Sequence, residues 1–100
     1  MGVYAETSFE ITCDSTPTAE KVIKELKKMK KESDENLNFN FNGLSRNVNT
    51  VFGEHSSNRI QNLEWQCEQI WERVKDIKGV LEANFPFMVE DNGCLFSNDK

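Results

Sequence analysis

Apolar and polar residues alternate from Tyr4 to Cys13, with Thr7, Phe9, Ile11 and Cys13 set against Glu6, Ser8, Glu10 and Thr12. A period of two marks a half-buried strand. Asp14-Ser15-Thr16-Pro17 follows, with Thr16 as the expected helix cap and Pro17 at the first helical position, where no N–H bond is lost. The spacing then changes. Ala19, Val22, Leu26 and Met29, with Ile23, form a stripe at helical period, and the helix is expected to fade near Ser33-Asp34.

Leu37 to Leu44 returns to alternation, with Asn38, Asn40 and Asn42 between Leu37, Phe39 and Phe41. Asn42-Gly43 is a strong turn signal, since both residues tolerate positive φ. A hairpin turning there pairs Phe41 with Leu44, Phe39 with Arg46 and Leu37 with Val48. Arg46 fits the inner face badly, so it is expected to reach the sheet edge or to mark a bulge. Phe39, Phe41 and Phe52 are assigned to the buried face.

Ile60, Leu63, Cys67, Ile70, Val74 and Ile77 recur at steps of three and four and predict a second helix from about Ser57 or Asn58 to Lys78, capped by Gly79. Val80 to Val89 reads as a last strand with Leu81, Ala83, Phe85 and Phe87 inward. Pro86 suits an edge position. Residues 91–100 read as a tail in which Leu95 and Phe96 could serve as anchors.

The predicted order is β-α-β-β-α-β in a single domain over residues 1–90. Right-handed crossovers then give an α+β, ferredoxin-like arrangement of two helices on one face of a four-stranded antiparallel sheet. That fold hosts many unrelated activities and says little about function.

Composition narrows the function classes. The chain has 100 residues, 37% apolar, with a net charge of −5. This is enough apolar content for one core. The acidity disfavours general nucleic-acid affinity. No run approaches a membrane span. Met1-Gly2-Val3-Tyr4 has no leader character, and Glu6 breaks the myristoylation pattern. Cys13, Cys67 and Cys94 read as free thiols, and the expected compartment is the cytoplasm.

No catalytic, metal or cofactor motif stands out, and the expectation is a non-enzymatic protein without a cofactor. Glu6 and Glu10, four apart on a strand, lie roughly 13 Å apart, too far to share one cation. Glu82 is expected to approach one of them across the sheet. His55 and Ser56 lie in a segment read as a loop before the second helix, where sequence neighbours rarely form a triad.

Charge is segregated. Lys21, Lys24, Lys28 and Lys31 form a stripe on the first helix, and Glu64, Glu68, Glu72 and Asp76 a ridge on the second. Like charges four apart repel, so the two rows are expected either to pair across the helices or to stand as two independently solvated faces. Trp65 lies off the apolar stripe of its helix and is a candidate partner contact, or else folds over the tail at Leu95 and Phe96. The expected partner surface comprises Trp65, Glu64, Glu68, Glu72, Glu6, Glu10 and Glu82, meeting another protein. A sharper version is an inhibitor of immunity or phage anti-defence type that occupies the basic groove of a nucleic-acid enzyme. The alternative is nucleic-acid binding through Lys21, Lys24, Lys28, Lys31 and the open sheet. A monomer or a homodimer, through an edge strand or Trp65, fits either reading.

Overall fold

A computed structural model describes residues 5–33, 41–57, 60–86 and 93–98. The chain is α+β, with strands β1 (Ala5–Cys13), β2 (Phe41–Asn47), β3 (Thr50–Ser57), β4 (Val80–Pro86) and β5 (Gly93–Ser97) and helices α1 (Thr16–Ser33) and α2 (Ile60–Val74). All pairings are antiparallel, and the five strands lie in the order β2-β3-β1-β4-β5. The expected sheet of four strands is therefore one of five. Residues 93–97, read as part of a tail, pair along β4.

The helices touch each other and the same side of the sheet. Phe9, Ile11 and Cys13 of β1, Val51 of β3 and Val80, Ala83 and Phe85 of β4 meet Ala19, Val22, Leu26 and Met29 of α1 and Cys67, Ile70, Trp71 and Val74 of α2 in one buried cluster. Both helical stripes and the β1 alternation pack as their periods require.

The start of α1 is fixed by Ser15 rather than Thr16. Ser15 Oγ accepts the Thr18 backbone N–H at 3.4 Å, and Ala19 N donates to Ser15 O at 3.1 Å. Thr16 Oγ1 instead donates to Val48 O at 3.2 Å. α2 ends at Val74, earlier than expected, and a series of turns leads to Gly79 at φ +104°. A side chain there would collide with the Asp14 carboxylate and the Thr18 hydroxyl.

The hairpin differs most. β2 and β3 turn at Val48-Asn49, between the paired Asn47 and Thr50. Phe41 pairs with His55 and Arg46 with Val51, not with Leu44 and Phe39. Gly43 does take positive φ, +61°, but within a bulge: Gly43 and Leu44 stand opposite Gly53 alone. A glycine in the left-handed region opening a two-against-one step is one of the standard bulge types. The turn signal was thus a correct reading of the backbone at that residue and a wrong reading of what the backbone does there. Asn38, Asn40, Leu37 and Phe39 lie outside the described residues.

Leu81 is also displaced. It is the extra residue where the β1–β4 register shifts between Cys13↔Val80 and Thr12↔Glu82, and it is 46% exposed rather than inward. Phe87 lies outside the described residues.

Candidate functional site

The uncovered side of the sheet can be built from the registers. Leu95, Asn84, Glu10, Phe52 and Ser45 form one row across all five strands, and Ser97, Glu82, Thr12, Thr50 and Asn47 the next. Directly opposed residues share a face. Phe52 therefore sits on the open face, half-buried, and not in the core as its apolarity suggested. Its neighbours Val51 and Gly53 take the inward positions. Gly53 is required there, because a Cβ would lie 2.5 Å from the Phe9 ring and 2.9 Å from Leu44 Cδ2.

Three exposed carboxylates run diagonally over this face: Glu54 on β3, Glu10 on β1 and Glu82 on β4. Diagonal neighbours on adjacent strands are about 7 Å apart. Glu82 thus approaches Glu10 as expected. Glu6 is placed by its backbone alone, opposite Ser56. A shallow hollow of about 460 Å³ opens between Ser8, Glu10, Gly43, Phe52, Glu54 and Pro86. Among the described residues, every Lys and Arg lies on α1, on α2 or its following turns, or, for Arg46, on the helix side of β2. The open face is therefore acidic, with two separated apolar side chains, Phe52 on β3 and Leu95 on β5, and with Glu10 and Asn84 between them; Leu95 is 70% exposed.

The remaining candidates fall on the opposite side of the molecule. Trp65 is 41% exposed on α2, and Glu64, Glu68 and Glu72 are exposed near it on the outward helical arc. The expected partner set is therefore two separate surfaces. Trp71 stacks on Phe96 of the last strand, with ring centroids 5.5 Å apart and planes at 12°.

The expected pairing of the Lys stripe with the Glu ridge gives way to ion pairs of opposite sense. Arg73 of α2 donates through Nε to Glu25 Oε1 at 2.7 Å and through Nη2 to Glu32 Oε2 at 2.9 Å, both on α1. These contacts hold the Glu32 carboxyl below its usual range and raise Arg73 further. Glu72 is matched locally by Lys75 at 3.0 Å. The reason is geometric. Glu25 and Glu32 lie on the α1 flank that faces α2, whereas Lys21, Lys24, Lys28 and Lys31 are exposed on its solvent arc.

The thiols are structural. Cys67 and Cys94 share a hydrogen bond between α2 and β5, and burial pushes both upward in pKa. Burial, helped by Asp14, pushes the Cys13 thiol up to about 11. Such thiols are poor nucleophiles at neutral pH. The Glu54-His55-Ser56-Ser57 segment, read as a loop, belongs to β3. No group of three or more His, Cys, Asp or Glu placed to hold a metal occurs among the described residues. No helix there is long and apolar enough to cross a membrane.

Phe52 and Glu54 are what sequence reading missed at the open face. Thr50-Val51-Phe52 is a β-branched and aromatic run that marks a strand but not which way Phe52 faces. Comparison of the chain with family models, curated proteins and solved structures finds no match.

Proposed function

We propose that the protein is a non-enzymatic, cytoplasmic binding module whose open sheet face docks on a basic surface of another protein. The observation that carries this reading is the diagonal of Glu54, Glu10 and Glu82, with Phe52 and Leu95 on the same face, which neither α1 nor α2 covers. Phe52 and Leu95 offer apolar contact points on either side of the central Glu10. Opposite charge speeds encounter and rejects wrong partners more than it adds affinity. The sharper form is an inhibitor, of immunity or phage anti-defence type, that fills the basic groove of a nucleic-acid-handling enzyme. We read β1 to β4 as a ferredoxin-like core with β5 added beside β4, a reading supported by the strand order.

Affinity capture from the native cell, with wild type beside Glu10→Gln/Glu54→Gln/Glu82→Gln, tests this. The expected result is a protein partner retained by wild type, weakened by salt and lost with the triple variant. Capture of no protein, or binding indifferent to both salt and the three substitutions, overturns it. Trp65→Ala in the same assay reports whether the α2 surface contributes.

The nucleic-acid alternative keeps one support, the exposure of Lys21, Lys24, Lys28 and Lys31 on α1. Its other half, the open sheet, is lined by carboxylates and would repel phosphates. Binding of single-stranded oligonucleotides at low salt, abolished by neutralising Lys21, Lys24 and Lys28, would favour it over the acidic docking face.

A further inference from the structure

A second surface of opposite sign lies at the far edge of the sheet. A groove of about 580 Å³ runs between α1 and β2, lined by Glu20, Ile23, Lys24, Lys27 and Arg46. β2 is an edge strand, so its outer backbone has no strand neighbour among the described residues. Ile23 gives the groove a half-buried apolar floor. Lys24 and Lys27 are exposed on one wall. Arg46 stands on the other, held by its Nη1 bond to Val48 O at 2.9 Å and only loosely met by Glu20 at 4.0 Å.

We infer that this groove binds an acidic, extended peptide segment of another protein, laid beside β2 as a short added strand. A groove between an edge strand and a helix suits that mode: the strand supplies main-chain hydrogen bonds, and the groove reads alternate side chains. Carboxylates of the ligand meet Lys24 and Lys27 and replace the Glu20 carboxylate at Arg46. The bulge after Asn42 limits regular pairing to Ser45–Asn47, so the matched stretch is short.

Charge and backbone select this occupant over two others. A second copy offers Gly93-Cys94-Leu95-Phe96-Ser97 or the arginine-bearing β2 at its described edges, and neither carries a carboxylate. A nucleic acid has no peptide backbone to pair with β2.

The test is selection from a displayed random decapeptide library, with Lys24→Glu/Lys27→Glu as the counter-target. Both positions are exposed. Lys27→Glu places a Glu four residues before Lys31, which supports the helix, and Lys24→Glu exchanges the pair with Glu20 for one with Lys28, which leaves the helix nearly unchanged. Enriched peptides are expected to alternate Asp or Glu with β-branched residues and to lose about tenfold or more in affinity for the variant. In amide NMR spectra they are expected to shift Leu44–Asn47 and Ile23–Lys27. No enrichment, enrichment without acidic residues, equal binding to the variant or shifts centred on the open face would each overturn the inference. Concentration-dependent β2 shifts without peptide would mean self-association and would overturn it too. Because the open-face carboxylates are untouched, failure here leaves the capture experiment with Glu10, Glu54 and Glu82 unaffected.

Discussion

The two edges of the sheet are built by different means. β5 is the shorter strand, yet it is tied into the core. Phe96 stacks on Trp71 and meets the Phe85 ring edge-on at 5.8 Å, while Phe85 in turn lies 5.4 Å from Phe9. Asn98 reinforces this edge by donating through Nδ2 to Lys75 O at 2.8 Å and to Val80 O at 2.9 Å. β2 is longer and, apart from Leu44 against the core, is held by polar links. Besides the Arg46 contacts, Asn49 at its turn donates through Nδ2 to Cys13 O at 2.7 Å and accepts from Cys13 N at 2.9 Å. Apolar burial is worth more per side chain than exposed polar contact. Phe96, with Cys94 and Asn98 beside it, therefore secures β5, and β2 keeps a groove open beside it.

The largest expected effect breaks the aromatic side of this contrast. Phe96→Ala should cost about 3 kcal/mol, near the lower end for an aromatic because Phe96 is only half-buried. Leu95→Ala, next to it but 70% exposed, should change stability by less than about 0.5 kcal/mol. Urea midpoints of the two variants decide the matter, and equal losses would mean that β5 is not held by its ring.

An intermediate effect comes from the thiols beneath the sheet. The folded Cys13 is raised from 9.0 to about 11, and Cys67 is raised as well. The unfolded thiols ionise first, so stability is intact below pH 9 and falls as pH climbs towards 11. A two-unit shift corresponds to about 2 kcal/mol at the upper end of that range for Cys13. Urea unfolding of wild type and Cys13→Ala across this range should show a shallower decline in the variant. Parallel declines would assign the alkaline loss to other groups.

The smallest effect sharpens the β2 side and has the opposite sign. Val48 has φ +58° and is 66% exposed, a β-branched residue in the left-handed region with little packing to lose. Val48→Gly should raise stability by about 1 kcal/mol. A lower melting temperature in the variant would show that Val48 is held by contacts rather than tolerated against its backbone preference.

What the sequence made legible follows the same division. The stripes of α1 and α2 and the alternation of β1 were readable because burial imposes a period on every residue of those elements. The edges were not. Gly43 and Val48 exchange the roles that local preference assigns them, because pairing of Phe41 with His55 fixes the hairpin from outside the turn. β5 turns only Cys94 and Phe96 inward, too short an alternation to mark a strand over five residues. The acid on the open face was legible at Glu10 and Glu82. Phe52 was not, since its inward or outward sense depends on a register that only the true turn sets.

The contrast between Trp71, packed against Phe96, and Trp65, 41% open to solvent, has a practical consequence. With Trp65→Phe, the remaining indole becomes an intrinsic fluorophore reporting whether the last strand is seated. With Trp71→Phe, the emission maximum follows the outer surface of the second helix. The molecule thus carries two optical probes, one for its interior and one for its exterior, without any added label.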